Sequence, residues 1–326
     1  MQESGGRDLQ VVGGKGMGVL AAPPAVRAAG PAATFAWDEF FAGRLANRHT
    51  RAAYLAAVER FLAWVSPHES DLARITPGLV GRYFGELPLS TPSKKLHLAA
   101  LRAFFDVLVQ RHVVILNPAL SVRTERYAVI EGRTPEITVD QARRLLKSIP
   151  TGSVMGLRDR AVVGVLIYTA ARAGAIAKLR LGDFVHDGTQ YLLRFAEKGG
   201  KARSIPVRYN LEQFIRDYMF AAGLEGGQED APLFRTIAGV GPRLSGRPMN
   251  GVDICRMVKR RLEAASLPTM ISPHSFRSCA ATDLLLQGTP LEDVQYLLGH
   301  ADARTTRLYD RRQKQITRNI VERISV

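Results

Sequence analysis

The chain has 326 residues, enough for two domains with separate cores. Its 45 Lys and Arg outnumber 30 Asp and Glu, a formal charge of +15 that favours a polyanionic partner. No stretch approaches the roughly 18–20 apolar residues that span a bilayer, so no membrane partner is expected. The two cysteines, Cys255 and Cys279, give neither a disulfide framework nor a metal cluster and fit a reducing, intracellular compartment.

Residues 1–33 are rich in Gly, Ala and Pro and are expected to be a disordered leader or an overlong start to the reading frame. Pro23, Pro24, Arg27 and Pro31 break the apolar run too early for a signal peptide. From residue 34 the pattern is helical. Thr50 is placed to cap a helix whose stripe is Tyr54, Val58, Phe61, Leu62 and Val65. A short helix over residues 77–87 follows, then one with Leu98, Leu101, Phe104, Phe105 and Leu108 inward and Lys94, Lys95, His97 and Arg102 near its start. Trp37, Trp64 and Tyr54 read as scaffold residues rather than base-stacking platforms, and Asn117-Pro118 closes the unit. Positive helix starts such as Lys94 and Lys95, with Arg102 beyond them, can lie across a DNA backbone. Residues 119–135, with Arg123, Arg126 and Arg133, read as a basic interdomain linker.

The C-terminal unit is expected over residues 136–326. Thr138 and Gln141 form a capping-box pattern, and a helix beginning near Leu157 runs into TAARAGAIAKLRLGDF. Arg172 there lies among small and apolar neighbours and needs an anion, either a structural carboxylate such as Asp183 or a ligand. Residues 191–195 and 203–207 alternate as a hairpin, and Glu197-Lys198-Gly199-Gly200-Lys201 makes its turn. Such a turn either faces solvent or carries an ammonium to a phosphate. Leu211, Phe214, Ile215, Tyr218 and Met219 mark a further helix. Residues 239–248 read as a basic Gly-rich loop with Arg243 and Arg247. Ile254, Met257, Val258 and Leu262 line another helix, whose outer face carries Lys259 and Arg260 as a DNA-facing or merely solvated surface. Ile316, Ile320 and Ile324 make a narrow apolar stripe able to dock on its own domain or on a neighbouring subunit.

The most specific stretch is HSFRSCAATDLLLQGTPLEDVQYLLGHADARTTRLYD, residues 274–310. His274 and Arg277 share one helix face, His300 follows a Leu-Gly break, and Tyr309 comes nine residues later. A cationic pocket beside a phenol suits attack by an oxygen nucleophile on a phosphate. Singly, each of these residues reads as well as a packing, capping or surface residue. Arg172, Lys198, His274, Arg277, His300 and Tyr309 in this order resemble the active site of the tyrosine recombinases, the phage-integrase-like family.

The resemblance covers the chain from about residue 34 and implies a mainly α, two-domain fold: an N-terminal helical, SAM-like core-binding domain over residues 34–118, and a mixed α/β, mostly helical catalytic domain with a small antiparallel sheet. It implies cleavage and rejoining of DNA through a 3′-phosphotyrosyl link on Tyr309, with no ATP, metal or other cofactor. Arg172 and Arg277 would hold the non-bridging oxygens and His300 would add a donor. Lys198 would protonate the leaving 5′-oxygen, and His274 would accept the tyrosine proton. DNA contacts are expected from Lys94, Lys95, Arg102, Arg123, Arg126, Arg133, Lys201, Arg203, Arg243, Arg247, Lys259 and Arg260. The implied partner is double-stranded DNA bearing a specific recombination site, bound in the cytoplasm at the nucleoid by a homotetramer or by a heteromer with a related recombinase. Competing readings are a type IB topoisomerase and a catalytically silent DNA-binding protein of the same fold.

Departures from the family pattern are local. Ala175 stands three residues beyond Arg172 where the family usually has Glu, which removes one orienting partner and leaves the place open to another carboxylate. Ser278 follows Arg277 where His is common, and Glu197 precedes Lys198 where Gly is frequent.

Overall fold

The computed structural model describes residues 21–125, 135, 137–196, 202–239, 241, 243–300 and 302–310. It divides into two compact units, Met1–Ala128 and Val129–Val326.

In the first unit, α1 (Pro24–Ala28) and α2 (Pro31–Asp38) each begin on a proline, whose fixed φ suits a first helical turn. Helix therefore starts inside the stretch expected to be a leader, because Val26 and Ala33 are buried in the same core as Trp37. A π-turn, Glu39–Arg44, presents Phe40 and Phe41 inward. Helix α3 (Arg48–Val65) is capped by Asn47, whose side-chain oxygen accepts from the His49 and Thr50 amides. The expected cap, Thr50, lies within the first turn instead. Helix α4 (Pro77–Glu86) starts at a Thr76 cap, and α5 (Thr91–Gln110) buries Leu98, Leu101, Phe104, Phe105 and Leu108. The core centres on packed rings: Trp37 lies 4.4 Å from Phe41 and 5.7 Å edge-on from Phe104. Tyr54 stacks on Phe40, and Trp64 stacks on His68 while donating to Glu86, consistent with scaffold roles.

The second unit opens on α6 (Val139–Ser148), where Thr138 and Gln141 exchange both bonds of the capping box. Helix α7 (Val154–Thr169) is the buried axis of this unit. It is followed by α8 (Ala173–Ile176) and an antiparallel meander of β1 (Phe184–His186), β2 (Tyr191–Ala196) and β3 (Ala202–Pro206). The β2–β3 register pairs Leu193 with Ile205 and Phe195 with Arg203, so the expected hairpin forms; its turn lies outside the described residues. Helix α9 (Tyr209–Ala221) packs on α7 across Gly164, where a Cβ would meet Leu211 and Phe214 at 3.0 and 3.1 Å. The stretch expected to be a Gly-rich loop contains a strand: β4 (Arg235–Ile237) pairs with β5 (Leu244–Pro248). Four helices complete the described unit: α10 (Gly251–Ala264), α11 (Pro273–Leu286), α12 (Leu291–Leu298) and α13 (Ala303–Arg307). One large core joins α7, the meander, α9 and α10. A smaller one, Ala170, Ala281, Leu285, Val294, Leu298 and Tyr309, lies under the pocket described next. The stripe of Ile316, Ile320 and Ile324 lies outside the described residues.

Candidate active site

Helix α7 stops at Thr169, whose hydroxyl donates to the Val165 carbonyl and accepts from the Ala171 amide. Ala170 then takes a left-handed conformation, φ 51°, which turns the chain so that Arg172 stands at the exposed start of α8. Asp183, the structural alternative for Arg172, accepts from the Arg180 amide. On α11, a Ser272–Ser275 capping exchange and Pro273 fix the first turn. His274 keeps an exposed face, whereas Arg277, one turn on, is 1% exposed.

A guanidinium buried that deeply requires matched acceptors. Arg277 Nη1 donates to the Ala170 carbonyl at 2.8 Å, and Nη2 donates to the Leu298 carbonyl. One side chain therefore ties together the turn that leads to Arg172 and the end of α12 that leads to His300. Gly299 takes the left-handed conformation, φ 59°, at that end and lets the chain reverse. His300 is held on both sides: its amide and carbonyl bond Gln295, and its Nδ1 lies 2.9 Å from Thr306 Oγ1. Asp302 caps α13 by accepting from the Arg304 amide, and Tyr309 follows directly, its amide donating to the Thr306 carbonyl.

Tyr309 is 9% exposed. Its ring is nearly parallel to that of His300, 12° apart with centroids 6.1 Å apart, and its hydroxyl lies 3.4 Å from His274 Nε2, at the outer limit of hydrogen-bond reach. Burial, then the charges of Arg277 and Arg172, hold the His274 imidazole below its ordinary range. His300 is pushed down to about 4 by burial first, then by Arg277, Arg172, His274 and Arg203. Both rings are thus neutral near pH 7, and the field of both arginines reaches both rings. A neutral imidazole beside a phenol can take its proton; a neutral imidazole with one N–H can also donate to an anion.

Five of the six expected site residues converge: Arg172, His274, Arg277, His300 and Tyr309. Lys198 lies outside the described residues, in the sequence between β2 and β3. Among the described residues no group of three or more His, Cys, Asp or Glu is arranged to hold a metal ion, and no helix is long and apolar enough to cross a membrane.

The expected DNA contacts are dispersed and several have internal duties. Lys94 Nζ donates to the Phe84 carbonyl, and Arg102 donates to the carbonyls of Ala119, Leu120 and Val122, strapping the start of the linker to its own unit. Arg123 donates to the Leu120 carbonyl. Arg203, expected on a DNA-facing surface, is instead 5% exposed, its guanidinium lying over Phe195 and donating to the Tyr296 carbonyl. Alternation along β3 puts it on the inward face. Arg260 is exposed yet also reaches the buried Asp159, and Lys95, Arg243, Arg247 and Lys259 are exposed. Arg126, Arg133 and Lys201 lie outside the described residues.

Sequence reasoning passed over the cluster around Asp159, whose carboxylate bonds Arg158, Arg260 and Arg261 and joins α7 to α10. It also passed over Thr306 and Gln295, whose side chains bond His300. The polar residues spaced around His300 were the available signal.

Comparison with known proteins converges on one group. The profile described as "Phage integrase family" matches residues 135–315, and "Phage integrase, N-terminal SAM-like domain" matches residues 37–112. The chain is 32% identical over 267 residues to the tyrosine recombinase XerC of Pelobacter propionicus, covering 80% of this chain and 84% of that one. It is 29% identical over 269 residues to the tyrosine recombinase XerD of Chlorobaculum tepidum, covering 80% and 85%. Among solved structures, XerH site-specific recombinase bound to palindromic difH substrate in a post-cleavage complex superposes with a TM-score of 0.70 at 18% identity, over 90% of this chain and 85% of that one. A lambda integrase tetramer bound to a Holliday junction superposes at 0.60 with 18% identity, over 82% and 76%. These two likenesses share the fold: a helical SAM-like unit and a mostly helical unit with a small antiparallel sheet.

Proposed function

This chain belongs to the phage integrase family, the tyrosine-type site-specific DNA recombinases, and from that premise we propose that Tyr309 is its nucleophile and that Arg172, Lys198, His274, Arg277 and His300 complete the reaction centre. Tyr309 Oη attacks the scissile phosphorus, forming a 3′-phosphotyrosyl bond as the bond to the 5′-oxygen breaks. The phenolic proton passes to His274 Nε2. Lys198 gives a proton to the departing 5′-oxygen. Arg172, Arg277 and His300 donate to the non-bridging oxygens, whose charge grows in the pentavalent transition state. A guanidinium has five N–H donors, so Arg277 can hold two backbone carbonyls and still grip a phosphate. The phosphotyrosyl bond conserves the energy of the broken phosphodiester, and a 5′-hydroxyl from the second duplex reseals it by the reverse path.

The observation that carries this reading is the Tyr309 hydroxyl 3.4 Å from the Nε2 of His274, an imidazole lowered from its ordinary range by burial and by the two arginines of the same pocket. The reading extends to the assembly: four protomers on paired duplexes bearing a specific site, or a heteromer with a related recombinase, acting at the nucleoid in the cytoplasm. The tetramer of lambda integrase bound to a Holliday junction supports the four-protomer part of that extension.

A nicked suicide duplex tests the assignment. The cognate site is first selected from a randomised duplex pool by binding, and the substrate is then incubated with wild type and with Tyr309→Phe, with and without EDTA. A covalent 3′-linked adduct that forms in EDTA and vanishes in the variant is expected. An adduct that persists in Tyr309→Phe places the nucleophile elsewhere. Relaxation of supercoiled plasmid lacking any site would favour the topoisomerase alternative.

A further inference from the structure

We propose that Thr306 is a positioning residue: its buried hydroxyl donates to His300 Nδ1 and thereby fixes the imidazole as the tautomer that carries its proton on Nε2. The proposal rests on the reading of His300 as a donor to phosphate, and it adds the group that makes such donation possible.

A neutral imidazole has one N–H, and the atom that bears it is set by the hydrogen bond made at the other nitrogen. His300 Nδ1 and Thr306 Oγ1 are 2.9 Å apart, so one of them donates. Thr306 is 0% exposed, so its hydroxyl is closed to bulk solvent. A helical threonine commonly turns its hydroxyl to the carbonyl four residues back. Here no such bond forms: among the described residues Thr306 Oγ1 has no hydrogen-bond partner other than the His300 nitrogen. Were Nδ1 the donor, the threonine proton would be left inside the protein with nowhere to go, which is costly. Were Thr306 the donor, every group is satisfied. Nδ1 then accepts, and the opposite edge of the ring carries the proton.

The consequence reaches the reaction. With Nε2 protonated, His300 offers an N–H to a phosphate oxygen. With the other tautomer it would offer a lone pair, which repels that oxygen. The depressed titration of His300 matters here, because a doubly protonated ring would need no tautomer lock. Thr306 also accepts the Tyr309 amide on its carbonyl, so the one residue that sets the imidazole's proton also holds the backbone of the nucleophile. Thr306 is wholly buried and valine keeps its β-branch, so that change deletes the hydroxyl and little else.

The test uses the full chain with 15N-labelled histidine. The His300 signals are assigned by their loss in His300→Asn. Long-range 15N–1H correlation at pH 7, without DNA, reports which ring nitrogen bears the proton. The expected result is Nε2–H in wild type, a mixture or reversal in Thr306→Val, and return to Nε2–H in Thr306→Ser. In single-turnover cleavage of the suicide substrate, Thr306→Val is expected to slow the step by at least about 10-fold, and at most by the roughly 1,000-fold that losing one such donor outright costs. DNA affinity should stay within about twofold, and Thr306→Ser should recover most of the rate. Nδ1–H in wild type overturns the proposal, and it does so even if Thr306→Val fails to fold. So does Thr306→Val with wild-type tautomer and rate, or Thr306→Ser as slow as Thr306→Val. Failure of the wild type to form any adduct would instead count against the reaction assigned above, while the spectrum still decides the tautomer.

Discussion

Arg277 invites two opposite expectations for the DNA-free protein. A side chain present only to grip phosphate is a liability before DNA arrives, since it crowds charge beside Arg172 and two histidines; removing it should leave stability unchanged or raise it. The structure implies the contrary. Arg277 is 1% exposed and donates to the carbonyls of Ala170 and Leu298, which lie 107 and 21 residues away along the chain. Hydrogen bonds from a charged donor contribute about 1.5–3 kcal/mol each, so Arg277→Ala should destabilise the catalytic unit by about 3–6 kcal/mol. Arg277→Lys can replace one bond, and should lose about half of that. Urea denaturation separates the two units by probe. Both tryptophans, Trp37 and Trp64, lie in the N-terminal unit, so their fluorescence reports that unit, whereas far-UV circular dichroism reports both. The circular dichroism transition should move to lower urea in the order wild type, Lys, Ala, with the tryptophan transition unmoved. Arg277→Ala as stable as wild type, or more so, would refute the tether and leave Arg277 as a phosphate ligand alone.

Other consequences follow from the same geometry. His274 must be neutral to take the Tyr309 proton; its titration lies below the ordinary imidazole value of about 6.5 through burial, Arg277 and Arg172, so the neutral form persists into mildly acidic solution. Single-turnover cleavage should therefore rise with pH and reach its plateau with an acid limb centred below about 6.5; a limb at or above that value would contradict the assignment. His300, titrating at about 4, should not contribute to that limb. Asp159 is 0% exposed and its two oxygens are shared by Arg158, Arg260 and Arg261. Asp159→Asn leaves those guanidiniums without their counter-charge and should cost about 3–5 kcal/mol in circular dichroism-monitored unfolding; a loss below about 1 kcal/mol, the scale of an exposed pair, would show that the cluster is not a buried clasp.

The reacting groups were legible in the sequence because chemistry restricts residue type: few side chains replace an imidazole three residues from an arginine, or a phenol nine residues beyond a second imidazole. The β2–β3 hairpin was legible through its alternation, and the Thr138 cap through a glutamine at the third position. What was not legible depends on partners remote in the chain. Nothing near Arg277 indicates that Ala170 and Leu298 would supply its acceptors, so its tethering duty stayed hidden behind its phosphate-binding one. Arg260 is exposed, as its place on the outer face of its helix suggests, but its bond to Asp159 stayed hidden because that partner lies 101 residues before it. Arg203 was expected at DNA on its charge alone, although Ile205, two residues on and therefore on the same face of β3, marks that face as inward. Strands of three residues, such as β1 and β4, are too short for a period to show. The first helices were masked by composition: prolines and alanines that suggest disorder here start helical turns and pack against Trp37.

Cleavage by this chemistry requires that one atom, the phenolic oxygen of Tyr309, become bonded to phosphorus. The direct measurement is to trap wild-type protein on the suicide duplex, digest protein and DNA, and sequence the nucleotide-bearing peptide by mass spectrometry. The expected result is a single modified peptide with the 3′-phosphoryl group on Tyr309. A phosphoryl group on any other side chain, or none on a strand that has nevertheless been cut, would contradict it.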